Sequence, residues 1–251
     1  SFDIDYAKYV DDTTVVSVSS DPGDRSLQSA ADRLLQWCVD NRMQINGKKT
    51  KEMLIYFGRK FVKDVVTHVT LNSDQTDRVD TFKLLGVIIS SDLSWVSHVS
   101  YLLSKVSKRY CLIFQLVRVG VAQQDIIRID CAIIRSVLEY ACAVWHSGLT
   151  TAQSNDIERV QKRCLRIIFP ELSYSDALFV AGLDRLSVRR EQIVRDTFKN
   201  IKLPSHVLHN LLPAKVDHQF NSRDKYSYLL PVARTQRYAN SFIPYCIRKR
   251  Y

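Results

Sequence analysis

The spacing of apolar positions changes partway along the chain, and that change predicts two kinds of region. Phe2, Ile4, Tyr6 and Val10 fall on one face of an extended segment, and Thr13–Val18 is a second β-rich run. Together they predict a hairpin with Asp11-Asp12 at or beside its tip. Asp21-Pro22-Gly23-Asp24 is turn chemistry. Leu27, Ala30, Ala31, Leu34, Leu35 and Cys38 then recur at helical spacing, which predicts an amphipathic helix over Ser26–Arg42 with Asp24 or Ser26 as N-cap. Met53–Phe57 and Val65–Leu71 read as strands and Asn72–Asp80 as a polar loop. Phe82–Ile89 is a further apolar run, in which Gly86 marks a bulge or a close backbone approach.

From Trp95 onward the period becomes helical. Helices are predicted over Trp95–Val119, Gln123–Trp145 and Thr151–Ile168, the last stopped by Pro170, with weaker ones at Ser173–Ala181 and Ser187–Lys202. Asn221–Tyr251 is rich in Tyr, Arg and Pro. Such interleaving either stacks and pairs with nucleic acid or forms a loose tail. The fold class that follows is α+β: strands and one helix in residues 1–98, then an all-α region over 99–251.

Charge sharpens that division. Residues 1–98 carry 12 Lys and Arg against 14 Asp and Glu, whereas 99–251 carry 24 against 12, so the net charge of +10 resides in the second part. An acidic part followed by a basic one suits an enzyme that handles polyphosphates and then tracks a nucleic-acid backbone, although a basic surface also serves solubility. No apolar run reaches 18 residues, so no membrane span is expected, and no basic-then-apolar leader is present. Six scattered cysteines form no CxxC pair, which argues against zinc and for reduced thiols in a nuclear or cytosolic protein. The chain opens on Ser within a strand pattern and reads as a piece of a longer polypeptide.

The chemistry concentrates at the first hairpin. Tight hairpin turns favour Asn-Gly or Asp-Gly, and two adjacent anions repel, so Asp11-Asp12 is an unusual turn. A solvated acidic turn is one reading. The other is that apolar flanks anchor both strands in a core and hold two oxygen-rich groups at one end, as a hard divalent cation requires.

Lys8-Tyr9-Val10-Asp11-Asp12-Thr13-Thr14 resembles the Tyr-x-Asp-Asp box of reverse transcriptases, in the form found in non-LTR (LINE-type) retrotransposons. Ile45-Asn46-x-x-Lys49-Thr50 resembles that family's Leu-Asn-x-x-Lys-Thr box. Phe82-Lys83-Leu84-Leu85-Gly86, ending in Leu93-Ser94-Trp95, resembles the hairpin called the primer grip, with Leu84 where the family has an aromatic residue. The resemblance is strong through Trp95 and more diffuse beyond. It implies the C-terminal part of a polymerase palm (1–98) and a helical thumb with its extension (99–251).

The implied activity is RNA-directed DNA synthesis on an RNA template and DNA primer, with deoxynucleoside triphosphates and Mg²⁺ or Mn²⁺. Asp11 would ligate metal, and Asp12 would ligate weakly or add negative field. Lys49, or else Lys48, would protonate the leaving pyrophosphate. Tyr9 and Gly86 would lie against nucleic acid, and Arg159, Lys162, Arg163 and Arg166, at i, i+3, i+4 and i+7, would grip phosphates. In the family a further palm carboxylate and the fingers precede the tetrad. Asp3 and Asp5 lie roughly 20 Å from the pair at strand rise and cannot substitute, so the chain alone is expected to be inactive. A non-catalytic nucleic-acid-binding module, or a relic without selected function, are the alternatives.

Overall fold

The computed structural model describes residues 4–19, 21, 23–57, 68–72, 74–215, 228–230 and 232–251. It divides into two compact units, one of Ser1–Leu85 with Ile89–Leu93 and one of Gly86–Ile88 with Ser94–Tyr251. Phe2, Asp3, Pro22, the Val65–Thr67 start of one expected strand, Ser73 and residues 221–227 of the tail lie outside the described residues.

In the first unit β1 (Ile4–Tyr9) pairs antiparallel with β2 (Asp12–Ser17), Tyr9 opposite Asp12 and Ala7 opposite Thr14. Helix α1 (Ser26–Asp40) packs on both strands and buries Ala30 and Cys38. Its N-cap is Arg25, without a side-chain cap bond, and not the expected Asp24 or Ser26. Asp24 instead accepts the Ser26 N–H at 2.8 Å and the Ser26 hydroxyl at 2.8 Å just outside the helix, which holds its carboxyl below the usual range. The expected anchoring of both strands in a core is corrected. Tyr6, Tyr9, Val16 and Val18 are exposed, because a two-stranded ribbon has two faces and a helix such as α1 can cover only one of them. That helix reaches β1 through polar edges: Arg33 donates to the Tyr6 hydroxyl at 3.2 Å, and the Lys8 ammonium lies 5.1 Å from the Trp37 ring centre.

The next strands also differ from expectation. Regular pairing is confined to β3 (Lys51–Glu52), and Met53–Phe57 continues without strand structure. The expected loop over Asn72–Asp80 contains two short strands, β5 (Asp74–Gln75), which pairs antiparallel with β4 (Thr70–Leu71) at the end of the expected strand, and β6 (Asp77–Arg78), which runs parallel to β3. The physical reason is Glu52. Its buried carboxylate accepts from Arg78 Nη2 at 2.6 Å, from the Val69 N–H at 3.2 Å and from the Thr76 hydroxyl at 3.3 Å. An ion pair this buried, at 7% and 8% side-chain exposure, costs about 3–5 kcal/mol when one partner is removed. It fixes strand pairing that no apolar periodicity announces.

A two-stranded sheet of β7 (Thr81–Leu84) and β8 (Val87–Ser90) follows. Leu85 and Gly86 connect them at φ 46° and 87°. Two successive positive φ values define a type I′ hairpin turn, so Gly86 sits in the turn itself and not within a strand.

The second unit is helical and holds the large core. The expected single helix over Trp95–Val119 is two, α2 (Val96–Ser107) and α3 (Tyr110–Arg118), interrupted at Lys108-Arg109. The expected helix over Gln123–Trp145 is likewise divided. After α4 (Gln123–Asp130) come a π-helical turn (Cys131–Arg135), α5 (Ser136–Glu139), a break at Tyr140 and Ala141 with Ala141 at φ 50°, and α6 (Cys142–Trp145). Trp145 explains the break: fully buried, it donates its indole N–H to the carbonyl of Tyr140 at 3.1 Å, which takes that carbonyl out of helical register.

Helix α7 (Thr151–Ile168) starts in a reciprocal Thr150–Gln153 capping box, worth about 1 kcal/mol. Helices α8 (Tyr174–Ala181) and α9 (Leu186–Ile201) follow. The C-terminal stretch contains α10 (Gln236–Ala239) and α11 (Phe242–Lys249). Ile113, Ile134, Leu138, Trp145, Ile157, Cys164 and Leu186 are fully buried in one cluster. Val194, Phe198, Cys246 and Ile247 form a second, smaller one. None of the described helices is long and apolar enough to cross a membrane.

Candidate functional site

The hairpin tip of the first unit is built by strain. Val10 and Asp11 are the two residues between β1 and β2, and Val10 has φ +52° while Asp11 is not in the positive-φ region. A β-branched residue at positive φ is a genuine outlier, at a cost of order 1–3 kcal/mol. Burial does not offset it, since Val10 is 72% exposed. The strain presents Asp11 and Asp12 to solvent, one in the turn and one at the first position of β2, with exposed Tyr9 paired across from Asp12.

The donor chemistry at this tip suits a hard divalent cation, for which Mg²⁺ needs one or two carboxylates and takes its remaining oxygens from water and phosphates. The number is small. Among the described residues no group of three or more His, Cys, Asp or Glu side chains gathers closely enough to hold a metal ion. Among the described residues the tip thus offers two adjacent carboxylates and no third ligand beside them.

The turn that carries Lys48 and Lys49 is organised by Asn46. Its side-chain oxygen accepts the Lys49 N–H at 3.1 Å, and its carbonyl accepts the Thr50 N–H and the Thr50 hydroxyl, each at 3.0 Å. The Asn-x-x-Lys-Thr spacing thus has a local physical meaning: the first and last residues close the turn, and both lysines face outward, exposed. Lys48 lines an open cavity of about 590 Å³ with Asn46, Asn72, Asp74 and Gln75, whereas Lys49 does not. No hydrogen bond or ion pair joins either lysine to Asp11 or Asp12 among the described residues.

Gly86 belongs to the second unit. A Cβ there would stand 3.0 Å from Cε1 of Tyr140, so the close approach at this glycine is made by the chain's own tyrosine ring.

The basic face of α7 is present as spaced. Arg159, Lys162, Arg163 and Arg166 are all exposed, on the side opposite buried Ile157, Cys164, Leu165 and Ile168. They are not equivalent. Arg159 is paired with Asp156 one turn earlier. Arg163 stacks on Tyr110 of α3, its guanidinium 4.5 Å from the ring centre. Lys162 and Arg166 have no ion pair among the described residues. Burial raises the Tyr110 hydroxyl to about 12, with the Cys164 thiol adding to the shift and Arg163 opposing it.

The periodicity of α7 identified its cations, but Tyr110 was read only as an apolar position of its helix. Its partnership with Arg163 spans 53 positions and leaves no local signal. Val10 gave one signal, the absence of Gly or Asn from a tight turn.

Comparison with protein-family models, with curated proteins and with solved structures gave no match.

Proposed function

We propose that this chain is the C-terminal part of an RNA-directed DNA polymerase of the LINE type, with residues 1–98 as part of a palm and 99–251 as a thumb with its extension. The observation that carries this reading is the strained tip at Tyr9-Val10-Asp11-Asp12, where the backbone adopts an unfavourable φ and leaves two carboxylates in solvent. Backbone strain is retained where function demands a particular presentation.

In this reading Asp11 and Asp12 are the chain's share of a two-metal centre, which when loaded with Mg²⁺ or Mn²⁺ activates a primer hydroxyl and stabilises the departing pyrophosphate. Lys49 or Lys48 supplies the proton to that leaving group. Asn46 supports the assignment by closing the turn that leaves both lysines exposed, and the cavity beside Lys48 makes it an equal candidate. The basic face of α7 holds phosphates of template or primer. A nuclear or cytoplasmic location accompanies this activity.

Three measurements test the reading. With primer–template, nucleotides and Mg²⁺, the chain alone gives no extension, because two carboxylates are not a complete centre. Millimolar Mn²⁺ nevertheless broadens the amide resonances of Val10, Asp11 and Asp12 selectively, and Asp11→Asn removes most of that broadening. In a polypeptide that also carries a palm carboxylate and fingers, Asp11→Asn abolishes extension while the fold persists. Tip resonances indifferent to Mn²⁺, or undiminished extension by Asp11→Asn, would remove the pair from catalysis.

A second reading, a non-catalytic nucleic-acid-binding module, is favoured by the lack of a third carboxylate near the pair among the described residues. It predicts no Mn²⁺ effect at the tip and undiminished binding of nucleic acid.

A further inference from the structure

Next to the basic face of α7 lies an aromatic surface that the polymerase reading leaves unassigned. Tyr110, Phe114 and Arg118 are spaced by four on α3, so they share one face. Ile113, fully buried and about 100° around the helix from Phe114, turns the adjoining side of that helix into the core. Helix α3 packs along α7, and the Tyr110–Arg163 stack joins the two exposed faces into one surface. Phe114 is 58% exposed, one turn beyond Tyr110. A phenylalanine so placed leaves apolar area in water that the adjoining core could have taken.

The flanking charges indicate what would cover it. Arg118 shares the Phe114 face of α3, Lys162, Arg163 and Arg166 share the exposed face of the adjoining α7, and no acidic residue occurs on α3 or within Arg159–Ile168 of α7. A uniformly cationic rim opposes a second copy of this basic chain and matches a polyanion. A duplex offers that polyanion its phosphates but keeps its base faces stacked. A single strand offers both phosphates and unpaired base faces, and an exposed aromatic ring beside cations is the combination that binds it.

We propose that the α3–α7 surface binds single-stranded nucleic acid, with a base stacked on Phe114 and the adjoining phosphates held by Lys162 and Arg166. The inference rests on the reading of the second unit as the part that handles nucleic acid, and specifies an unpaired strand as the preferred occupant, since a duplex meets only the cations of this surface and not Phe114. Arg163 is already stacked on Tyr110, which presents its guanidinium edge to a phosphate without further ordering.

The test uses the full 251-residue chain and four fluorescent probes of equal phosphate number: oligo(dT), oligo(U), an abasic single strand and a mixed-sequence duplex. Phe114→Ala is expected to weaken oligo(dT) and oligo(U) about five-fold or more, the loss of one stacked base. Binding of the abasic strand and the duplex stays unchanged, and Phe114→Trp restores the single-strand affinity. The Lys162→Gln, Arg166→Gln double variant weakens all four probes and flattens the single-strand log–log salt slope by about 1.4, at roughly 0.7 per phosphate contact. Phe114 is exposed, so circular dichroism of Phe114→Ala should match the parent.

If Phe114→Ala leaves oligo(dT) unaffected, or weakens all four probes alike, while salt-dependent binding persists, the stacking proposal is overturned and the nucleic-acid reading stands. If no probe binds even at low salt, both are overturned.

Discussion

His98 and Asp130 show how single buried groups set the response of the second unit to pH. His98 is fully buried among Trp95, Tyr101 and Trp145, and its Nδ1 accepts the Ile88 N–H at 3.2 Å. Burial lowers its pKa to about 4. The unfolded chain takes up this proton near 6.5, so the stabilisation is present above 6.5 and is lost as pH falls toward 4. His146 is lowered in the same direction, by burial first, although Glu191 opposes the shift. Asp130 acts with the opposite sign. Burial raises its carboxyl, with the Cys164 thiol and Arg135 pulling back, so the folded form keeps a proton that the unfolded chain releases above about 4. Its contribution is present at low pH and is lost as pH rises. Urea unfolding of the parent should therefore weaken on acidification from pH 6.5 to 4, less steeply in His98→Gln. Asp130→Asn should be more stable than the parent at pH 7 and lose that advantage near pH 4. A parallel pH dependence in parent and His98→Gln would assign the acid response elsewhere.

At the scale of elements, tight backbone contacts decide where helices end and begin. The 3₁₀ turn His146–Gly148 carries the chain from α6 to α7. A Cβ at Gly148 would lie 2.4 Å from Nε1 and 2.8 Å from Cδ1 of the Trp95 ring. A rigid indole cannot withdraw cheaply, so Gly148→Ala is expected to cost about 1–3 kcal/mol, the usual cost of overpacking. Trp95→Phe should recover part of that loss, because it removes the indole nitrogen that the new methyl meets. Thermal unfolding of the two single variants and the double variant measures the coupling, and additive losses would show that Trp95 is not the obstacle. A hairpin such as β1–β2 behaves differently, because its strained Val10 is exposed and relief of strain there leaves no cavity. Val10→Gly is accordingly expected to leave stability equal or raised.

For the molecule as a whole, burial is unequal between the units. Both apolar clusters belong to the second unit, from Val87 and Val99 to Ile247. The first unit relies on a small contact between α1 and the strands, and on the buried Glu52–Arg78 pair. Regions with few buried apolar contacts open at lower free energy than a packed core. Limited proteolysis under native conditions should therefore cut before residue 86 first and leave a persistent fragment that retains Gly86–Ile88, identified by its mass. Simultaneous loss of both units would mean that they unfold as one.

What the sequence determined by itself was local. The helix over Thr151–Ile168 was legible, because its stop is Pro170 and its cations share a face by spacing alone, whereas the Thr150–Gln153 box that starts it came only with the structure. The mixed strand-and-helix character was legible from the change of apolar period, and the Asp11-Asp12 turn from the β-rich runs on either side. What only the tertiary structure decided depends on partners far apart in the chain. The carboxylate of Glu52 recruits Arg78, 26 positions away, and makes strands of a stretch that reads as polar loop. Trp145 draws the Tyr140 carbonyl out of a helix that apolar periodicity would have continued. Tyr110 meets Arg163 only because α3 packs on α7. Periodicity records which face of an element is apolar. It carries no record of which side chain will fill the space opposite, and that choice placed the strand pairs, the helix breaks and the aromatic surface beside the cations.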